Sequence, residues 1–144
     1  MKMNNGRIVM CVNKLGEFKD KKLPQKISYA IAKNTLALTN EYKIYESELN
    51  KLNEQYREHM NIKEDGVIEL NATGIPIINN GMEAEYVSKL NDLLSIETDV
   101  NLHIVDEECF DYDDTMGRYD TLSPLELIFL RSVLCEDDID ENDK

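Results

Sequence analysis

The stretch that follows Pro24 runs to about Met60 without another proline or a single glycine, and it constrains the fold more than any other part of the chain. Apolar and aromatic residues recur along it at heptad spacing, and Glu, Lys, Asn and Gln fill most positions between them. This pattern predicts one long helix over residues 24–60 with a single buried stripe. At 1.5 Å per residue this helix is about 55 Å long, so part of it must project from the core, bend, or pair with another chain.

The second half of this stripe is its most apolar part, and it supplies a first set of candidate interaction residues. Tyrosine is favoured at protein interfaces because it combines a large apolar area with a polar tip. Two interpretations stay open: another helix of the same chain covers the stripe, or two copies of the chain self-associate through it as a homo-oligomer. Ser and Thr at other stripe positions disfavour a parallel leucine-zipper dimer. The candidate residues are Tyr42, Tyr45, Leu49, Leu52 and Tyr56.

Short β-branched or alternating segments predict the strands. The run RIVMCV at residues 7–12 favours a strand, with the apolar face of a short helix as the alternative. Residues 67–70 and 75–78 flank the sequence Asn-Ala-Thr-Gly, which predicts a small β-hairpin with glycine in its turn. Apolar residues alternate with polar ones over 98–105, as in a half-buried strand. No internal repeat is evident.

Two further helices are predicted after the hairpin. Residues 82–94 place apolar side chains on one face and two glutamates in the first turn, where the helix dipole favours negative charge. Residues 124–135 begin with the capping box Ser123-Pro124-Leu125-Glu126, the most specific local signal in the chain.

These elements predict an α+β protein with one long N-terminal helix, a small antiparallel sheet with a hairpin, and two further helices. The length of the chain fits a single domain, which we assign to residues 1–135. Residues 136–144 have too little apolar content to fold, and they are predicted to form a disordered acidic tail.

The formal net charge of −13 disfavours unspecific binding to nucleic acid or to an anionic membrane. The charge is unevenly distributed, because residues 1–33 hold eight Lys or Arg residues against Glu17 and Asp20. Three interpretations stay open. This basic part folds back on the acidic remainder, its lysines at 19–33 meet an anionic ligand or partner, or it is solvated surface with no assigned role.

The sequence contains neither a recognisable membrane span nor a secretion signal. No apolar run reaches the ~20 residues that a span requires, and the apolar core at residues 8–12 is too short for a signal peptide. The cysteines Cys11, Cys109 and Cys135 are odd in number and far apart, which is typical of reduced thiols. We therefore expect a protein of the cytoplasm that does not bind membranes.

No reaction centre or cofactor site can be assembled from the sequence. A calcium loop starting at Asp111 would place Met116 where glycine is needed and Leu122 where the bidentate glutamate belongs, so an EF-hand is rejected. His59 and His103 have no neighbouring cysteine or histidine that would make a zinc ligand pair. The common nucleotide-binding, metalloprotease and hydrolase motifs are missing. The sequence therefore predicts a protein that is not an enzyme and binds neither a metal nor a cofactor.

Five short segments carry a family resemblance: LPQKISYAIAKN at residues 23–34, EYKIYE at 41–46, EDG at 64–66, KLNDLL at 89–94 and LSPLEL at 122–127. Together they resemble a family of small phage and prophage proteins from low-GC Gram-positive bacteria. The resemblance covers roughly residues 23–134, and its motifs are structural rather than chemical. It implies a phage-encoded protein in the cytoplasm of a bacterial host. Since the family is generally of unassigned function, it implies no catalytic residue.

The sequence departs from the family pattern in its longer acidic segment at residues 106–120, here called the acidic loop, and in its acidic tail. Charge and size favour a non-enzymatic protein whose partner is a host or phage protein. We expect an acidic inhibitor of a host defence or nucleic-acid-handling protein, in which loop carboxylates replace phosphates in a basic cleft. The candidate contact residues are Asp111, Asp113 and Asp114.

Two other functions stay open at this point. The chain could be an oligomeric virion component or assembly chaperone that uses the Tyr/Leu stripe of the long helix. It could also bind a nucleotide or another small anion through the lysines at 19–33. Direct binding to nucleic acid is not expected, because the net charge is negative.

Overall fold

Residues 1–136 of the 144-residue chain are described by a computed structural model. Two short strands, β1 (Lys2–Asn4) and β2 (Glu97–Asp99), pair antiparallel. The predicted α+β class and the long helix are confirmed. The predicted tail at 136–144 lies outside the described residues except for Glu136. Within the described range the helices are α1 (Asn5–Gly16), α2 (Gln25–Tyr56), α3 (Glu83–Ser95) and α4 (Pro124–Leu134), with 3-10 turns at Arg57–His59 and Glu107–Phe110.

Helix α2 spans 32 residues, because its sequence holds nothing that would interrupt the hydrogen-bond ladder. Its buried side chains serve two separate hydrophobic clusters. The main cluster lies along its first half and joins it to α1, α4 and Val100; its buried members are Met3, Ile8, Cys11, Leu15, Phe18, Leu23, Ile27, Ala30, Ile31, Leu38, Val100, Leu130, Val133 and Leu134. The distal cluster lies at its far end against α3; its buried members are Leu52, Tyr56, Met60, Ile78, Tyr86 and Leu90.

Helix α1 occupies the RIVMCV run, so the prediction of a strand there is wrong. The Asn4 side chain accepts a hydrogen bond from the Arg7 backbone N–H at 2.8 Å, which caps the first turn. Ile8, Cys11 and Leu15 follow at helical spacing, and all three are buried in the main cluster. The helical period of these three side chains outweighs the β-branched character of the short run.

The strand predicted over 98–105 is only partly formed. Its first residues belong to β2, which pairs with β1 and not with the 67–78 hairpin. Beyond β2, Met1 and Val100 exchange two hydrogen bonds, of 2.9 and 2.8 Å. Residues 101–106 join no strand ladder within the described chain. Val100 bonds to Met1, whereas His103 and Val105 bond to Asn34 and Leu134, and this alternation of sides indicates an extended course. The sheet therefore joins the start of the described chain to the segment that follows α3.

Residues 59–82 form a larger unit that contains the predicted hairpin. Three extended segments bond to one another in a ring: the Asn61 N–H donates to Ile77, the Ile77 N–H to Glu69, and the Glu69 N–H to Asn61, at 3.3, 3.0 and 2.8 Å. Equivalent positions lie eight residues apart, and equivalent turns are closed by Gly66 and Gly74, whose φ angles are 82° and 81°. The segment therefore contains an internal repeat, which corrects the sequence interpretation.

The capping box predicted at the start of α4 is present. The Ser123 hydroxyl accepts a hydrogen bond from the Glu126 N–H at 3.2 Å, and the Glu126 carboxylate accepts one from the Ser123 N–H at 3.0 Å. Pro124 occupies the first helical position, where a missing N–H costs nothing. These bonds fix the point at which the acidic loop ends and α4 begins.

The polar side chain of Asn34 on α2 is completely buried, with 0% of the residue exposed. Its side-chain Nδ2 donates to the His103 carbonyl at 3.0 Å, and its Oδ1 accepts from the His103 N–H at 2.6 Å. The amide therefore pairs with the His103 backbone as a neighbouring strand would, and it holds the extended segment against α2. This pairing also satisfies an amide whose burial would otherwise be costly.

We predict that Asn34→Ala lowers the free energy of unfolding by about 1–3 kcal/mol, because the His103 N–H and carbonyl lose their partner. Asn40→Ala is the matched control, since Asn40 is exposed on the same helix and Ala has the higher helix propensity. We expect this control to be neutral or slightly stabilising. Urea unfolding followed by circular dichroism measures both, and equal effects of the two substitutions would contradict the role of Asn34.

Candidate interaction surface

The acidic loop is fixed at both ends. Near its start, the Arg131 guanidinium of α4 lies 2.6 Å from the Glu107 carboxylate. At its end, the Asp120 carboxylate accepts a hydrogen bond from the Lys22 N–H at 2.8 Å, and the Asp120 N–H donates to the Lys22 carbonyl at 2.7 Å. These contacts tie the loop to α4 and to the segment before α2.

Two tyrosines form the inside of the loop. The Tyr112 and Tyr119 rings meet edge to face with centroids 5.4 Å apart. The Tyr112 hydroxyl donates to the Asp120 carbonyl at 2.7 Å. Burial, followed by the nearby Asp114 and Asp120 carboxylates, raises the pKa of Tyr112, so its hydroxyl keeps the proton that it donates. The loop is therefore internally packed, although it contains seven acidic residues against Arg118 alone.

The three candidate carboxylates lie on this packed loop. Asp111 and Asp113 are exposed and Asp114 is half-buried. The Asp113 carboxylate accepts hydrogen bonds from the Thr115 hydroxyl and N–H at 2.6 and 2.8 Å, and these bonds lower the pKa of Asp113. None of the three makes an ion pair with residues 1–136. Their negative charge is thus left for solvent or for a partner.

The Tyr/Leu stripe of α2 faces the interior of its own chain along most of its length. Tyr45 and Leu52 are each 8% exposed and Tyr56 is 3% exposed. Tyr42 and Leu49 are half-buried and pack against the main and distal clusters respectively. The structure thus agrees with the interpretation in which elements of the same chain cover the stripe. Self-association through it stays a prediction.

Helix α3 and residues of the 59–82 unit cover the distal end of the stripe. The Tyr86 ring meets the Tyr56 ring edge to face with centroids 5.4 Å apart. The Tyr86 hydroxyl donates to the Asn53 side chain at 2.6 Å. The Lys89 ammonium lies 5.2 Å from the centroid of the Tyr56 ring. Hydrogen bonding to Tyr56 raises the pKa of Lys89, so its charge is favoured in this position.

The basic N-terminal part meets the acidic remainder at specific contacts. Lys21 lies 3.1 Å from Glu126, and Lys2 lies 3.6 Å from Glu97. Lys33 lies over the ring of Tyr29, 5.6 Å from its centroid. Lys2 and Lys21 therefore pair with acidic residues of the remainder, as expected if the basic part folds back on the acidic part. Binding of an anionic ligand by the lysines at 19–33 stays a prediction.

Sequence reasoning missed the surface beside the extended segment 101–106. A cleft of about 460 Å³ lies between this segment and the first turns of α2. Tyr29 is 52% exposed there, and its ring meets His103 edge to face at 5.3 Å. Lys26 and Asp106 also line the cleft, so it has charges of both signs. The alternation of residues over 98–105 was the available signal, but it did not show which side would stay open.

Two kinds of site are absent from the described residues, a metal-binding cluster and a membrane-spanning helix. Among residues 1–136, no group of three His, Cys, Asp or Glu side chains is placed to hold a metal ion. In the same range no helix has both the length and the apolar character to cross a membrane.

Cys11 and Cys135 are buried, and burial raises the pKa of both thiols. Both therefore act as small apolar side chains in the core.

We predict that Leu52→Ala lowers the free energy of unfolding by about 2–5 kcal/mol, because it opens a cavity in the distal cluster. Leu36→Ala is the control: Leu36 is 66% exposed on the same helix, and exposed substitutions usually change stability by less than about 0.5 kcal/mol. Urea unfolding at two protein concentrations measures both. A midpoint that rises with concentration in the wild type would show that folding is linked to self-association, while equal effects of the two substitutions would contradict the burial of Leu52.

We also predict acid-sensitive capping by Glu126. The backbone N–H of Ser123, and then Lys21, lower the pKa of the Glu126 carboxyl. A carboxyl with a lowered pKa stabilises the fold above its ordinary pKa of about 4.3, and this contribution is lost as the pH falls through the lower pKa of the folded state. Glu126→Gln should therefore destabilise near neutral pH and match the wild type in strong acid.

Urea unfolding at several pH values between about 2 and 7 checks the Glu126 prediction. Lys21→Gln is the control. It removes the lysine, which is the smaller of the two causes of the lowered Glu126 pKa, and it keeps the hydrogen bond from the Ser123 N–H. We expect this control to retain most of the pH dependence. A constant difference between wild type and Glu126→Gln across the whole range would contradict the prediction.

A scan with models of protein families finds no match to this chain, and no curated protein or solved structure is significantly similar to it. These comparisons leave the resemblance to phage proteins as a prediction.

Proposed function

We propose that this chain is a non-enzymatic, phage-encoded interaction protein that inhibits a host defence or nucleic-acid-handling protein. In this proposal the acidic loop occupies a basic cleft of the partner, in the place that phosphates of a nucleic acid would take. The observation that supports it is a set of exposed carboxylates on a backbone that is fixed at both ends.

The fixed backbone matters because binding normally costs conformational entropy. The Glu107–Arg131 pair and the Asp120–Lys22 bonds hold both ends of the loop before any partner arrives. The packing of Tyr112 on Tyr119 holds its interior. A loop that is already ordered loses less freedom on binding, so more of the interaction energy becomes affinity.

The carboxylates supply the recognition chemistry. Asp111 and Asp113 present acceptor oxygens to solvent, and carboxylates, like phosphates, accept hydrogen bonds from Arg and Lys side chains. The net charge of −13 attracts a basic protein and speeds its association at low salt. The same charge repels nucleic acid. A basic protein surface is therefore the partner that the loop fits best.

We predict that the triple substitution Asp111→Asn, Asp113→Asn and Asp114→Asn weakens binding about tenfold or more and reduces its salt dependence, because it removes three charges and keeps the side-chain shape. The matched control is Glu46→Gln, Glu58→Gln and Glu64→Gln. These residues are exposed, lie outside the loop, and make no ion pair in the described chain. The control loses the same charge and should bind within about twofold of the wild type.

The measurement starts with the immobilised chain and extracts of low-GC Gram-positive bacteria. The captured protein is identified by mass spectrometry, purified, and titrated with the wild type and both triple variants. Displacement by duplex DNA tests whether the loop uses the nucleic-acid cleft. The proposal would be wrong if the loop variant bound as tightly as the control variant, or if DNA and this chain bound the partner together.

A further inference from the structure

The extended segment 101–106 follows β2 and has two different sides. Successive residues of an extended chain direct their main-chain N–H and carbonyl groups to alternate sides. His103 bonds to the Asn34 side chain, and the Val105 N–H donates to the Leu134 carbonyl at 2.7 Å. The odd-numbered residues of the segment therefore face α2 and the end of α4, and this side is occupied.

The even-numbered residues face the side on which β1 lies. The Asn5 N–H donates to the Ile96 carbonyl at 3.0 Å, and Met1 and Val100 exchange two hydrogen bonds. In this register Leu102 and Ile104 are the next residues to face that side. Within residues 1–136 their main-chain groups have no hydrogen-bond partner. Leu102 and Ile104 are thus two pairing positions that no residue of the described range 1–136 fills.

We propose that Leu102 and Ile104 bind an extended, basic segment of the partner protein, which adds to the sheet as a strand antiparallel to residues 101–105. This inference rests on the proposed function, because the partner is the one that the acidic loop engages. Strand addition of this kind derives its affinity from main-chain hydrogen bonds and its specificity from the side chains that flank the edge.

The chemistry of the added strand follows from its direction. A strand antiparallel to residues 101–105 has its N-terminal half beside Asp106 and the start of the acidic loop. Asp106 and Glu108 are exposed and make no ion pair among the described residues. Lys or Arg in that half of the strand would face these carboxylates. The other half would lie beside Leu102 and Ile104, which favour β-branched side chains.

A second copy of this chain fits the edge poorly. Its own 101–105 segment would bring Asp106 and the acidic loop with it, and each copy carries a net charge of −13. Like charges placed opposite each other across paired strands are destabilising. Charge complementarity therefore selects a basic segment over self-pairing.

The test uses two acetylated, fluorescently labelled peptides, KRKTVTVT and EDETVTVT, titrated with the full chain. We expect the wild type to bind the basic peptide about tenfold or more tightly than the acidic one. Ile104→Pro removes the N–H that faces the added strand, so it should weaken binding about fivefold or more. Asn101→Pro removes an N–H that faces the other side, and Ile104→Ala keeps the N–H. Asn101→Pro should bind within about twofold of the wild type, and Ile104→Ala should lose less affinity than Ile104→Pro because it removes only the side-chain contact.

Amide hydrogen exchange is measured on the wild type, so this part of the test does not require Ile104→Pro to fold. Saturation with the basic peptide should slow exchange at the Leu102 and Ile104 amides and leave the Asn101 amide unchanged. The strand addition is wrong if KRKTVTVT does not bind at millimolar concentration, if a folded Ile104→Pro binds it as the wild type does, or if exchange at the three amides changes equally.

The same variants separate this inference from the proposed function. If the aspartate-to-asparagine loop variant loses the captured host protein while a folded Ile104→Pro retains it, the proposed function stands and the strand addition is wrong. If both variants lose the captured protein, and Asn101→Pro retains it, both proposals are supported. If both retain it, neither proposal holds.

Discussion

The burial of one face of α2 against two separate clusters is the interaction on which the rest of this structure depends. A helix of 32 residues is about 48 Å long, which is more than one small core can cover. Its termini gain nothing from charge, because its first turn holds no acidic residue and its last turn no basic residue. Such end effects amount to a few tenths of a kcal/mol, whereas each large buried side chain contributes about 1.5–3 kcal/mol. Packing at both ends therefore decides that the helix forms.

This division of α2 also determines where the candidate interaction surfaces lie. The main cluster draws in α1, α4 and the residues after β2, and Asn34 fixes the extended segment through His103. The acidic loop leaves from the end of that segment and returns to α4 at the Ser123 capping box. The strand edge and the acidic loop are thus consecutive in the chain and share one support. The packing of the main cluster is therefore sufficient to place the strand edge next to the acidic loop.

The sequence predicted those features whose signals are local. The absence of Gly and Pro over α2, and the Ser123–Glu126 box, each act within a few residues, so they could be read directly. Helix α1 was misread because RIVMCV is short; its helical period becomes clear only when Leu15 is included. The pairing of β1 with β2 joins two remote parts of the chain and has no local signal. The eight-residue repeat was missed because its equivalent positions share backbone hydrogen bonds more than side chains.

The role of Asn34 shows why the candidate site was only partly predictable. From the sequence alone, an Asn on the buried face of a helix only interrupts the apolar stripe. In the folded chain its side-chain amide pairs with the backbone N–H and carbonyl of His103, as a neighbouring strand would. That pairing occupies one side of the extended segment, and no residue of the range 1–136 pairs with the other side beyond Val100. An open strand edge is normally a liability, since it invites pairing between copies, and charged residues near the edge are a common protection. Here the acidic residues that follow the edge would disfavour pairing with another copy, and in the proposed function the same charge would favour a basic chain.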